Sequence, residues 1–236
     1  MNIKENFEKL KYMISDIHLG YSYAKENYLI LRQSYESSST VTRQNNQKII
    51  VVARKIQESL YKSVITDLHG WLLDRSEHSA SIGKAIEYLE KNSLLEHVAQ
   101  QYSNPPKIIK LHQLSETTDW KIKYSNSRKD EFQKTIEEIK DIWGNLSNSE
   151  ESRKLRLLRN KSIAHKDFKS NQLYDFSSEN HSLKDIETII KQADILIENL
   201  DKIINKTTLV PIGNISEYAN EFWRSLKSKK NQEIHE

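Results

Sequence analysis

The sequence predicts an all-α protein, and three observations carry that expectation. Glycine and proline together number 8 of 236 residues, roughly 3% against about 12% in an average protein. Those residues supply the backbone angles of tight turns, so a β-sandwich or barrel, which needs many turns, is excluded. Apolar residues recur at i, i+3, i+4 spacing through most of the chain, the period of a helix with one buried face. No glycine-rich phosphate loop of the GxGxxG or GxxxxGK[ST] kind occurs.

The elements follow from that period. Phe7, Leu10, Ile14, Ile17, Tyr21, Ala24 and Tyr28 predict a first helix to about Tyr35, broken by Ser37 to Thr40. Ile49, Ile50, Ala53, Ile56, Leu60, Val64, Leu68 and Trp71 form a second stripe, ended by Leu72, Leu73 and Asp74. Ile82, Ile86 and Leu89 mark a shorter helix, and Leu94 to Tyr102 another turn or two. Asn104-Pro105-Pro106 breaks the chain. The stretch 107–126 has no clear period. Phe132, Ile136, Ile139 and Trp143 define a helix whose start Ser127 and Asp130 would cap. Ser147 and Glu150 would cap the next, which carries Leu155, Leu158 and Ser162. After a polar connection over 167–181, Leu183 to Ile204 form a long amphipathic helix. Pro211-Ile212-Gly213 interrupts, and Ile215, Tyr218, Phe222 and Leu226 make a final helix with a basic tail. The four Trp and most of the Tyr fall on these stripes and are expected in the core.

Composition narrows the chemistry. Without cysteine there are no disulfides, thiolate zinc sites or cysteine nucleophiles, and a reducing cytoplasm is the expected location. No apolar run reaches the length of a membrane span, and the start, MNIKENFEKLKYM, is too charged for a secretory signal. No HExxH and no di-iron spacing of His and carboxylates occurs, so neither a metal nor a cofactor is expected. Asp74, Glu77 and His78 read as a solvated turn.

One segment stands apart. Residues 153–169, from Arg153 to Lys169, hold seven Lys or Arg and one Asp, a local charge of +6 in a chain whose net charge is +3. The rest therefore sums to −3, from 3 minus 6. A basic helix face is the footprint of a phosphate-bearing partner; the plainer reading is a solvated face paired with acidic neighbours such as Glu137 and Glu138. Within the segment runs Arg159-Asn160-Lys161-Ser162-Ile163-Ala164-His165. On an ideal helix His165 continues the inward stripe of Leu155 and Leu158, with Arg159 about 120° away and roughly 9 Å distant along the axis. Histidine moves protons near neutral pH and a guanidinium grips phosphate bidentately. Asn160 is placed to orient the arginine or a phosphate oxygen.

These residues resemble the HEPN signature, an Arg followed after four to six residues by His, with Asn, Asp or His next to the Arg. The segment Ser63 to Asp74 further resembles the abortive-infection, AbiU-like branch. The similarity covers about residues 5–205 in helix order. It implies a helical bundle of long antiparallel helices with peripheral additions, spanning 1–208. Residues 209–236 then form a C-terminal amphipathic helix and basic tail on the same domain. It also implies a metal-independent endoribonuclease of toxin or phage-defence type, acting as a homodimer whose two motifs share a cleft. RNA is the expected partner, together with an antitoxin or defence protein. Arg159, His165 and Asn160 would be catalytic, and Arg156, Lys161 and Lys166 would hold RNA. One departure matters: toxins neutralised by modification of a Tyr carry it two residues after the His, where this chain has Asp167, although Tyr174 lies further along. Two other readings stay open, a non-catalytic HEPN-type dimerisation or RNA-binding module and a structural helical adaptor.

Overall fold

The computed structural model describes residues 2–44, 47–91, 93–105, 118–160, 182–206 and 215–226. Among them are eight α-helices and no strand: α1 (Ile3–Gln44), α2 (Gln47–Leu68), α3 (Ile82–Glu90), α4 (Leu94–Ser103), α5 (Thr118–Asn148), α6 (Glu150–Leu158), α7 (Leu183–Ile204) and α8 (Ile215–Ser225). A π-helical turn, His69–Leu73, extends α2. The all-α expectation therefore holds for the described residues. No helix among them is long and apolar enough to cross a membrane.

Two helices run further than their sequence suggested. The serine-rich stretch at 37–40 does not end α1, which continues to Gln44. Serine and threonine cost only a few tenths of a kcal/mol each inside a helix, far less than glycine or proline. Ser34 shows how: its hydroxyl donates back to the Leu31 carbonyl at 2.6 Å. Likewise Ser127 and Asp130 lie inside α5, which begins at Thr118, and Ser127 is exposed there. The capping motif is real instead at Ser182. Its hydroxyl accepts from Asp185 N–H at 3.2 Å, while its own N–H donates to the Asp185 carboxylate at 3.0 Å. This reciprocal pair satisfies two donors that the start of α7 would otherwise leave open.

The chain divides into two compact units. The first comprises residues 1–18, 72–149 and 191–209. Leu10, Ile14 and Ile17 of α1 are buried in it with Ile82, Leu94, Val98, Ile139, Leu196 and Leu200. Asn205 Nδ2 lies 3.5 Å from Ser15 Oγ, and His18 Nδ1 lies 3.8 Å from a buried Asp201 carboxylate oxygen. Since 15 to 18 advances as 205 to 201 recedes, α1 and α7 run antiparallel here. Ser81 caps α3 by accepting from Lys84 N–H at 3.2 Å. Asp74 accepts from Ser76 N–H at 2.9 Å within a turn whose Arg75 to His78 are exposed.

A charged group joins α4, α5 and α7 in this unit. The Arg128 guanidinium lies 4.0 Å from the centre of the Tyr102 ring. Arg128 also pairs with Glu131 at 2.6 Å, and Lys202 reaches the other Glu131 oxygen at 2.6 Å. Burial pushes the Tyr102 phenol up to about 12. The Lys202 hydrogen bond, opposed by partial burial, holds the Glu131 carboxyl below its usual range. A depressed carboxylate stabilises the fold above its unfolded pKa and loses that contribution as pH falls through the folded value. Glu131→Gln is therefore expected to destabilise at neutral pH, by an amount that shrinks as pH falls below the ordinary carboxylate range. Urea midpoints measured from pH 7 downward would show the gap narrowing; a constant gap would contradict this.

The second unit comprises residues 19–71, 150–190 and 210–236. Tyr21 on α1 donates to the Ile190 carbonyl of α7 at 2.9 Å. Trp223 and Ala219 of α8 pack with Ala53 of α2, joined by Ile30 and Leu226. The final helix thus buries a different face from the one its sequence suggested. Tyr218 is 62% and Phe222 49% exposed, whereas Trp223 is 1% exposed. Nor do tryptophan and tyrosine uniformly fill the core. Trp71, Trp120 and Trp143 are half-buried, and Tyr12, Tyr23, Tyr35 and Tyr218 are exposed.

Gly20 of α1 fits this unit for a steric reason. A Cβ built there would stand 2.0 Å from Trp71 Cε2. Inside a helix Gly→Ala ordinarily gains about 1 kcal/mol, but overpacking costs about 1–3 kcal/mol. A rigid indole at that distance has to move bodily, so the clash decides the sign. Gly20→Ala is expected to lower stability by about 1–2 kcal/mol. An unchanged or raised denaturation midpoint would show that the indole swings aside freely.

Candidate nucleic-acid interface at the end of α6

The site begins with α6. Glu150 and Glu151 occupy its first turn and Arg156 its last, the arrangement that favours the helix dipole at both ends. Leu155 and Leu158 are buried at 0% and 1% exposure, and Ser152 is fully buried between turns of the same face. The inward stripe read from the sequence is therefore correct as far as Leu158. The basic residues emerge from the other sides of the helix.

Part of the local charge is already compensated. Arg153 forms a two-point pair with Glu150, one bond at 2.7 Å from Nε to Oε2 and a second from Nη2 to Oε1. That pairing holds the Glu150 carboxyl below its usual range. Lys154 lies 3.7 Å from Asp185 at the start of α7. The named carboxylates are thus Glu150 and Asp185. Arg156 is half-buried on the same helix.

Beyond Leu158 the path changes. Arg159 and Asn160 adopt a wider π-type turn, a local form found disproportionately at functional sites. Arg159 is half-buried and Asn160 exposed. Arg159 Nη1 donates to Asn160 Oδ1 at 3.1 Å. No carboxylate among the described residues pairs with Arg159. Its guanidinium has five N–H donors, and the asparagine contact engages one of them. Lys161, His165 and Lys166 lie outside the described residues, as do Asp167 and Tyr174. The structure thus brings Arg159 and Asn160 together, and sets Arg156 on the helix that carries them.

A second polar group in the same unit was invisible as a group in the sequence. Asn27 of α1 donates to Ser63 Oγ of α2 at 3.3 Å, and Ser63 donates to an Asp67 carboxylate oxygen at 3.0 Å. The i, i+4 step from Ser63 to Asp67 is readable from helical spacing. The step from Asn27, across 36 positions, depends on how α1 and α2 pair. These residues fall in or beside the Ser63 to Asp74 segment that resembled the AbiU-like branch.

Helices without strands among the described residues define an all-α protein. A family model described as AbiU2 matches residues 8–222, and the chain belongs to that family of HEPN-type abortive-infection proteins. The matched span includes Ser63 to Asp74 and the whole of Arg159 to His165. No match was found among curated proteins or among solved structures.

Proposed function

We propose that this protein is a metal-independent endoribonuclease acting in abortive infection. One observation carries the reading: Arg159, bonded to Asn160 at the π-type end of a basic helix, begins an Arg-x5-His motif in a HEPN-type family member. In this reading His165 takes the proton from a ribose 2′-OH or protonates the leaving 5′-oxygen. Arg159 stabilises charge on the pentavalent phosphorus centre, and Asn160 holds the guanidinium in register. Arg156, Lys161 and Lys166 attract the RNA backbone. Two copies serve better than one, since a single imidazole cannot be base and acid at once. Pairing two chains would divide the roles.

Attack by the 2′-OH makes the new P–O bond as the 5′-oxygen bond breaks, so the product ends in a 2′,3′-cyclic phosphate and a free 5′-OH. DNA, lacking the 2′-OH, is spared. The test incubates the purified chain and its His165→Ala variant with total RNA in EDTA and analyses the product ends. Cyclic phosphate from wild type alone supports the proposal. Activity lost in EDTA would overturn the metal-independent mechanism. RNA binding without cleavage would favour the non-catalytic module.

A further inference from the structure

One face of α1 carries exposed apolar and acidic side chains together. Tyr12, Leu19 and Tyr23 are 73%, 59% and 58% exposed. At about 100° per residue, Leu19 and Tyr23 stand about 20° to either side of Tyr12. The three form one stripe along α1, about 16 Å long at 1.5 Å per residue. Ile30 falls on the same line, and there the line is already covered. Ile30 packs against the cluster of Ala53 from α2 with Ala219 and Trp223 from α8. Asn27 and Gln33, about 60° to either side of that line, reach Ser63 of α2 and Ser216 of α8 at 3.3 and 3.4 Å. The stripe is the uncovered continuation of a helix face on which other helices dock.

The charge around it has one sign. Glu5, Glu8, Asp16 and Glu26 all lie within about 40° of the stripe, the first three exposed and Glu26 half-buried. Lys11, about 100° away, pairs with Glu8 at 3.3 Å. The cation of α1 nearest the stripe is Lys9, about 60° off, and its ammonium lies 5.5 Å from the centre of the Tyr88 ring. Among the described residues no ion pair engages Glu5, Asp16 or Glu26. This one helix face sets carboxylates around two tyrosines and a leucine, with only Glu8 compensated.

We infer that this face docks a basic amphipathic helix of a different protein. Tyrosine rings and neighbouring carboxylates together attract arginine and lysine, by cation–π contact and by charge. Leu19 between the two tyrosines supplies the apolar centre that an amphipathic helix meets with side chains at i, i+3, i+4 and i+7. The same carboxylates repel the phosphates of a nucleic acid. A second copy meeting this face across a two-fold axis would set the face against itself, carboxylate opposite carboxylate. Opposite charge and an apolar stripe are what the occupant needs, and a basic helix has both. The inference does not depend on RNA cleavage, since no residue of the face belongs to the arginine-led segment.

The probe is a labelled synthetic helix with leucines along one side and arginines flanking them, titrated with the full chain by fluorescence anisotropy. A companion peptide carries glutamate at every arginine. A third keeps the composition of the first but scatters its leucines around the helix. Wild type is expected to bind the first saturably and the other two at least about tenfold more weakly. Tyr12→Ala with Tyr23→Ala, at exposed positions and with circular dichroism checking helicity, should weaken binding about tenfold or more. Asp16→Lys with Glu26→Lys should weaken it about tenfold as well, and should bind the glutamate peptide more tightly than wild type does. No saturable binding of the first peptide overturns the inference, as does binding that neither variant weakens. A mass by light scattering that falls from dimer to monomer in the Tyr12→Ala, Tyr23→Ala variant would give the face to a second copy, and overturns it too.

Discussion

His165→Ala is expected to lower the RNA cleavage rate by about 10³-fold, the usual worth of a positioned acid–base group. Arg159→Ala should cost about 10²–10³-fold, as for removal of one preorganised donor to a developing negative charge. Both losses should appear in kcat, since each group acts on the transition state more than on bound RNA. Arg159→Lys should recover little, because an ammonium cannot reproduce the planar fork of the guanidinium. Asn160→Ala should cost about tenfold, since the 3.1 Å bond from Arg159 orients the guanidinium without touching the reacting atoms. Charge reversal at Arg156, Lys161 or Lys166 should instead raise KM and flatten its salt dependence. Single-turnover assays on a defined RNA separate these effects. His165→Ala cleaving at the wild-type rate would contradict the whole assignment.

The second large effect concerns stability. Trp223 is 1% exposed within a cluster of Ala53, Ala219, Ile30 and Leu226. Its neighbours are mainly small or anchored on other helices, so they cannot collapse to fill the space an indole leaves. Trp223→Ala is therefore expected to cost about 3–5 kcal/mol. Trp120→Ala removes the same atoms from a half-buried site and should cost less than half as much. Equilibrium urea denaturation of both variants checks the ranking. Equal losses would mean that α8 is not held by this tryptophan.

The helices themselves were legible because their apolar residues follow one period. Phe7, Leu10, Ile14, Ile17, Tyr21, Ala24 and Tyr28 were read as one face, and all are buried except the half-buried Phe7. Ends were less legible, since serine is nearly neutral in a helix and its effect depends on what the neighbouring turns bury. Hence α1 passes Ser37, and α5 passes Ser127. The face of α8 was misread for another reason. Tyr218 and Phe222 form one i, i+4 pair and Ala219 and Trp223 another, about 100° around the helix, and only packing selects between them. At the candidate site, Arg159 and Asn160 are neighbours in sequence, so their contact was within reach of a local reading. The π-type turn at Arg159 and Asn160 was not, since no residue type there marks it. Gly20 beneath Trp71, and Asn27 against Ser63, depend on which helices pair. Spacing along one helix carries no trace of them.

Asp185 has a role that no single contact reveals. Its carboxylate accepts the Ser182 N–H that starts α7 and also faces the Lys154 ammonium on α6. Neither Ser182 nor Lys154 owns that acceptor, so their contributions are thermodynamically coupled through it. Whatever fixes the start of α7 thereby bears on α6, the helix from which Arg159 extends. The helix that presents the arginine is tied at its flank to a residue whose other duty is to begin a different helix. The free energies of capping α7 and of holding α6 are, in that sense, not independent of each other.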